Sequence, residues 1–87
     1  MNWDVERRLD AIDWCLYRNG EIRREHLMSI FGMSKPQAST DFAKYERLYP
    51  GAMVYNKSRK CYEAEGHNPR RNITIDSEGR LIFVVSL

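Results

Sequence analysis

Residues 31–39 read FGMSKPQAS and separate two segments that have helical periodicity. Gly32 suits the left-handed conformation that often ends a helix. Ser34 and Gln37 have the spacing of a Ser-x-x-Gln capping box, and Pro36 falls in a first turn, where proline is tolerated. The stretch therefore predicts two helices that are joined by a tight turn, the second one beginning at Ser34.

Helical periodicity extends to both sides of this turn. Helices are predicted over residues 2–19, 23–31 and 34–48, with Gly20 ending the first and a short extended piece at 21–22. Apolar side chains at steps of three and four are expected to form the buried faces: Val5, Leu9, Ile12, Leu16, Leu27, Ile30, Phe31, Ala38, Phe42, Tyr45 and Leu48.

Two hairpins are predicted after the helices. The β-prone runs 52–55 and 61–64 flank a polar turn at 56–60, which indicates a hairpin with a basic tip. The runs 72–76 and 80–87 indicate a second hairpin. Three helices followed by a hairpin are typical of an α+β winged helix-turn-helix, here with an additional C-terminal β-hairpin.

Length and composition indicate one ordinary globular domain. A chain of 87 residues fits a single core, so the domain is expected to span 1–87, with 1–64 as core and wing and 65–87 as loop and C-terminal hairpin. The composition, 43% hydrophobic and 30% charged, excludes a disordered chain. The longest apolar run is far too short to cross a bilayer, so no membrane partner is expected. The first residues are polar and do not form a signal peptide, so a cytoplasmic location is expected.

Sequence patterns for catalysis and metal binding are missing. The chain has no phosphate-binding glycine loop, no zinc-protease motif and no nucleophile elbow, so it is predicted not to be an enzyme. Cys15, Cys61, His26 and His67 do not have the spacing of metal ligands. We therefore expect no metal and no cofactor, and a structural role for the two cysteines.

Positive charge is clustered, although the formal net charge is only +2. Five basic and two acidic residues lie from Lys57 to Arg71. The third helix begins with side chains that can form hydrogen bonds with the edges of nucleobases in a major groove. Asp41 is expected to pair with a base such as Arg24 or Lys44. The candidate DNA-binding residues are Arg23, Arg24, Ser34, Lys35, Gln37, Ser39, Thr40, Lys44, Lys57, Ser58, Arg59 and Lys60.

The same residues also fit a plain solvated surface, and the low net charge keeps a second function open. In that alternative the winged helix binds a partner protein and not DNA. The two functions differ in salt dependence, because neutralising several phosphates makes DNA affinity fall steeply with salt.

The stretch from His26 to Ala64 resembles the N-terminal winged-helix domain of WYL-domain transcriptional regulators, particularly the phage-defence repressors BrxR and CapW. The likeness rests on FGMSKPQAS at 31–39 and YNKSRKCY at 55–62. It implies a sequence-specific transcriptional repressor that binds an inverted repeat of double-stranded DNA as a dimer. The third helix, 34–48, would lie in the major groove and the wing, 56–60, on the backbone.

Regulators of that family continue into a WYL ligand-sensing domain and a C-terminal dimerisation region, and the sequence up to Leu87 contains neither. Effector sensing is therefore not implied for this chain. Two interpretations stay open: an excised DNA-binding domain, or a stand-alone relative that dimerises through its own surfaces.

One apolar segment is a candidate for such a surface. The run 81–85 is apolar on both faces of a strand and needs cover on both sides. It is expected to pack on the aromatic face of the first helix, in its own chain or in a partner chain, and a homodimer is favoured. The predicted dimer interface consists of Trp3, Trp14, Tyr17, Leu81, Phe83 and Val85.

Overall fold

The computed structural model describes residues 4–66, 68–71 and 73–82, and these form helices followed by hairpins, as the sequence predicts. The helices are α1 (Val5–Asn19), α2 (Arg24–Phe31) and α3 (Lys35–Leu48), and the strands are β1 (Glu21–Ile22), β2 (Met53–Asn56), β3 (Cys61–Ala64), β4 (Thr74–Ile75) and β5 (Leu81–Ile82). One antiparallel sheet has the order β1-β3-β2, and β4 pairs with β5. The α+β winged helix-turn-helix with an additional C-terminal hairpin is confirmed.

Local caps set the helix boundaries. The Ser34 hydroxyl accepts a hydrogen bond from the backbone N–H of Gln37 at 3.3 Å, and Gly32 ends α2 in the left-handed region with a φ of 64°. The Asp4 carboxylate caps α1 by accepting from the Arg7 backbone N–H at 3.0 Å. In a full capping box the Gln37 side chain would bond back to the backbone N–H of Ser34. Here the Gln37 side chain donates to Asp41.

The three helices bury one core, which includes most of the predicted faces of α1 and α3. Leu9, Ile12, Leu27 and Phe42 are all fully buried. Two predicted core contacts are wrong, since Ile30 is 38% exposed and Leu48 is 48% exposed. At about 100° per residue, each lies roughly 70–110° from the centre of the buried face of its helix.

Aromatic contacts attach the wing, which consists of β2, β3 and the turn 57–60, to helix α3. Tyr55 and Tyr62 face each other across β2 and β3, with ring centroids 5.0 Å apart. Tyr62 also stacks on Phe42 of α3 at 4.6 Å. Aromatic pairs of this kind contribute about 0.5–1.5 kcal/mol beyond the area that they bury. The wing is therefore held against α3 by its own strand residues.

A buried carboxylate attaches Arg70 and Arg71 to the helices. Asp13 of α1 is 1% exposed, and it accepts hydrogen bonds from the backbone N–H groups of Arg70 and Arg71, at 2.9 and 3.0 Å, and from the Tyr45 hydroxyl. The Arg71 guanidinium bonds to carboxylates of α1, those of Asp10 and Glu6. The Arg71 side chain is therefore paired with acids of α1 and is part of the fold.

The C-terminal hairpin, β4 and β5, docks on α1 of its own chain. The Trp14 indole N–H and the Arg18 guanidinium both donate to the Gly79 carbonyl, at 2.9 and 3.0 Å, and Leu81 packs against the core. Tyr17 is 48% exposed. Trp3, Phe83 and Val85 of the predicted dimer interface lie outside the described residues. The packing of Trp14 supports the intrachain alternative for that residue, and the dimer stays a prediction.

Candidate nucleic-acid interface

The first turns of α3 present polar groups to solvent because the buried face of the helix points the other way. Ser34, Lys35, Gln37 and Thr40 are exposed, and Ser39 and Lys44 are partly buried. The Thr40 hydroxyl donates to the Pro36 carbonyl at 3.0 Å. This bond leaves the oxygen of Thr40 available as an acceptor.

Helix α2 contributes cations beside the start of α3. The Arg24 guanidinium donates to the Ser39 hydroxyl oxygen at 3.0 Å, so this bond links α2 to α3. Arg23 is exposed at the N-cap of α2, where its side chain makes no capping bond. Of the two candidate arginines, Arg24 is thus fixed against α3.

Asp41 has other partners than the sequence suggested. Its carboxylate pairs with Arg8 of α1, with Oδ2 2.6 Å from Nε and Oδ1 3.3 Å from Nη2. It also accepts from the side-chain amide of Gln37 at 3.0 Å. The expected pairing with Arg24 or Lys44 was wrong, because Asp41 is 1% exposed and faces α1. No acidic group on the first turns of α3 therefore points to solvent.

The tip of the wing is a polar turn whose shape is set by Asn56. The Asn56 side-chain oxygen accepts from the backbone N–H of Arg59 at 3.0 Å, and Lys60 takes a left-handed conformation with a φ of 54°. All four turn residues, Lys57, Ser58, Arg59 and Lys60, are exposed. The predicted hairpin with a basic tip is confirmed.

Ion pairs hold the Arg59 side chain against the sheet. Its guanidinium donates to Glu21 of β1 at 2.7 Å and to Glu63 of β3 at 3.1 Å. The hydrogen bond with Arg59 lowers the pKa of Glu21, and the same bond raises the pKa of Arg59. A phosphate would have to compete with two carboxylates for Arg59, whereas no such pair involves Lys57 or Lys60 in the described residues.

Cations from three elements meet in one cleft between α3 and the wing. The cleft has a volume of about 470 Å³, and its lining includes Arg24 of α2, Lys35 of α3 and Lys60 of the wing. Tyr55, Tyr62 and one acid, Glu25, complete the lining. The arrangement fits an anion that lies between the helix and the wing.

Sequence reasoning missed the residues that position this surface. Each of these residues bonds to a partner that is distant in the sequence. Glu21 binds Arg59 of the wing, Arg8 binds Asp41, and Asp13 binds the backbone of Arg70. One signal was local, since Asp41 lies four residues after Gln37 and so shares its helix face.

The part of the chain that the structure describes offers no alternative metal or membrane chemistry. In residues 4–66, 68–71 and 73–82 there is no cluster of three or more histidine, cysteine or acidic side chains that could hold a metal ion. None of the helices in those ranges has the length and apolar character needed to span a membrane. Cys15 and Cys61 are free thiols and both are buried.

Comparison with known proteins gives one family and several relatives. The family model for the BrxR transcriptional regulator winged helix-turn-helix domain matches residues 4–78. The chain is 42% identical over 62 residues to the DNA-binding transcriptional repressor CapW of Escherichia coli (strain KTE188), which covers 71% of the chain and 21% of that relative. The CapW repressor of Pseudomonas aeruginosa is 40% identical over the same shares. The one of Stenotrophomonas maltophilia is 39% identical over 74% of the chain and 21% of its own length. The chain thus matches about a fifth of each of these proteins.

Proposed function

Because the chain belongs to the BrxR family of winged helix-turn-helix domains, we propose that it binds double-stranded DNA sequence-specifically as part of a transcriptional repressor. The relatives that it matches are named DNA-binding transcriptional repressors. Repression follows from occupancy of an operator, and the mechanism includes no catalytic step. These relatives are bacterial proteins, and bacterial DNA lies in the cytoplasm, so we propose that this protein acts there.

The observation that carries this proposal is the cleft between α3 and the wing. Arg24, Lys35 and Lys60 come from three separate elements and line the same cleft, although the net charge of the chain is small. Phosphate contacts fix the register of a protein on a duplex. A backbone phosphate in this cleft would place the first turns of α3 at the adjacent major groove.

In the proposed complex, each element has a separate task. The exposed polar groups of α3, chiefly Gln37 and Thr40, face base edges, and the wing follows the sugar–phosphate backbone. Arg59 keeps the wing in position through Glu21 and Glu63. We further propose that residues 1–87 act as one domain and that two copies bind an inverted repeat as a homodimer.

Salt dependence tests the function directly. Binding of a fluorescein-labelled mixed-sequence duplex would be followed by anisotropy across a series of KCl concentrations. With roughly 4–8 phosphate contacts per dimer, log K should fall against log salt with a slope of about −4 to −7. A flat response would contradict DNA binding and favour the protein-interaction alternative.

Lys60→Gly tests the cleft without a change in fold. Glycine adopts the left-handed conformation of Lys60 readily, so stability should be retained while one cleft cation is removed. The salt slope should become shallower by about 1 per bound copy. Arg80→Ala is the matched control, because it removes an exposed cation from the C-terminal hairpin, outside the cleft. Equal slopes for the two variants would rule the cleft out as a phosphate site.

A further inference from the structure

The side chain of Gln37 is held in a defined orientation by its own helix. Its Nε2 donates to Asp41 Oδ1 at 3.0 Å, while Gln37 itself is exposed on the face that we assign to DNA. Asp41 is 1% exposed, and the Arg8 guanidinium from α1 binds both of its oxygens. A fixed acceptor therefore lies beneath an exposed amide.

The chemistry of the Asp41–Arg8 ion pair decides which end of the Gln37 amide points outward. A carboxylate that is paired with a guanidinium offers only acceptors, so the amide nitrogen of Gln37, and not its oxygen, must face Asp41. One N–H of Gln37 is used in this bond. The carbonyl oxygen, Oε1, and the second N–H remain for a ligand.

We propose that Asp41 is a positioning residue that makes Gln37 read adenine in the major groove, an inference that rests on the proposed DNA-binding function. Adenine presents an N7 acceptor beside an N6 donor, which matches one free N–H and one free carbonyl oxygen. Guanine presents two acceptors, N7 and O6, so its O6 would face the Gln37 carbonyl oxygen. Rotation of the amide to suit guanine would place that oxygen against the Asp41 carboxylate. By fixing the orientation of the Gln37 amide, Asp41 thus makes Gln37 selective for adenine over guanine.

The first experiment selects binding sites from a library of random-sequence duplexes and then measures the best duplex with each of the four bases at every position. The wild-type chain should require adenine at one position of each half-site. Gln37→Ala should lose about 5- to 100-fold in affinity there and little elsewhere. Gln37→Glu offers only acceptors, so its preference should move to cytosine, which presents the N4 donor. Glu46→Gln is the control, since it lies about half a turn around α3 from Gln37 and should keep the adenine requirement.

Two further measurements isolate the role of Asp41. In Asp41→Asn the amide at position 41 can donate as well as accept, so the preference for adenine over guanine should fall toward one while binding persists. Gln37 is the single glutamine of the chain, which makes its side-chain amide easy to identify by NMR. In the free wild-type protein one of its two protons should exchange with water more slowly than in an unstructured peptide of residues 31–45.

The outcomes separate the two proposals. Absence of any enriched duplex would overturn the DNA-binding function and the inference with it. Enrichment with no adenine preference at a position sensitive to Gln37, or an unchanged site preference in Gln37→Glu, would overturn the inference alone. Equal exchange of the Gln37 protons in protein and peptide would show that Asp41 does not hold the amide, whether or not Asp41→Asn folds.

Discussion

Buried carboxylates organise this small domain at the scale of single residues. Asp13 and Asp41 are each 1% exposed, and each joins α1 to another part of the chain. A buried charge is costly unless its oxygens are satisfied by donors, and each of these carboxylates accepts three hydrogen bonds. The two aspartates therefore fix where the loop and α3 lie relative to α1.

Replacement of Asp13 by asparagine should destabilise the fold. The asparagine amide nitrogen would face a backbone N–H that now donates to Asp13, either that of Arg70 or that of Arg71. Loss of charged hydrogen bonds in a buried network should cost about 2–4 kcal/mol. Urea unfolding followed by circular dichroism measures this cost. Asp4→Asn is the control, because asparagine also caps a helix well, and a similar loss in both variants would contradict the role of Asp13.

Elements that are encoded locally could be predicted from the sequence, and partners that are distant in the chain could not. The cap at Ser34, the glycine at the end of α2 and the polar turn of the wing depend on neighbours within a few residues. Arg8 and Asp41 meet only after α1 packs on α3, so no local sequence pattern predicts their ion pair. The partly wrong faces of α2 and α3 have the same cause, since the tertiary contacts decide which turn is covered.

The C-terminal hairpin is bonded to α1 through the carbonyl of one glycine. Gly79 has a φ of 81°, and a Cβ at this position would overlap the Arg18 guanidinium that donates to its carbonyl. Gly79→Ala should therefore cost about 1–2 kcal/mol in backbone strain and should also displace Arg18. The indole N–H signal of Trp14, which reports the bond to Gly79, should shift and exchange faster with water.

Gly51→Ala provides the matched control for the hairpin. Gly51 also has a φ of 81°, but a Cβ there would meet no atom within 4 Å. The variant should be strained to a similar degree and should leave the Trp14 signal unchanged. An unchanged Trp14 signal in Gly79→Ala would show that the hairpin does not dock through this turn.

At the scale of the whole molecule, the domain gathers cations in one open cleft and buries both of its cysteines. Cys15 of α1 and Cys61 of β3 are both fully buried, one in a helix and the other in the wing sheet. Burial raises the pKa of Cys15 to about 12 and also raises the pKa of Cys61. Since the thiolate is the reactive form, both cysteines should be inert while the fold is closed.

Thiol labelling therefore measures how the domain opens. With Ellman's reagent at pH 8, neither cysteine should react in native buffer during the time in which both react in guanidinium chloride, because reaction requires exposure and ionisation together. Mass spectrometry of labelled peptides identifies which thiol reacts first as urea is added. Labelling of Cys15 and Cys61 at one common rate would indicate that helices and wing open as a single unit. Rapid native labelling of Cys61 alone would contradict this closed structure, and it would mean that the wing leaves α3 independently of the helical core.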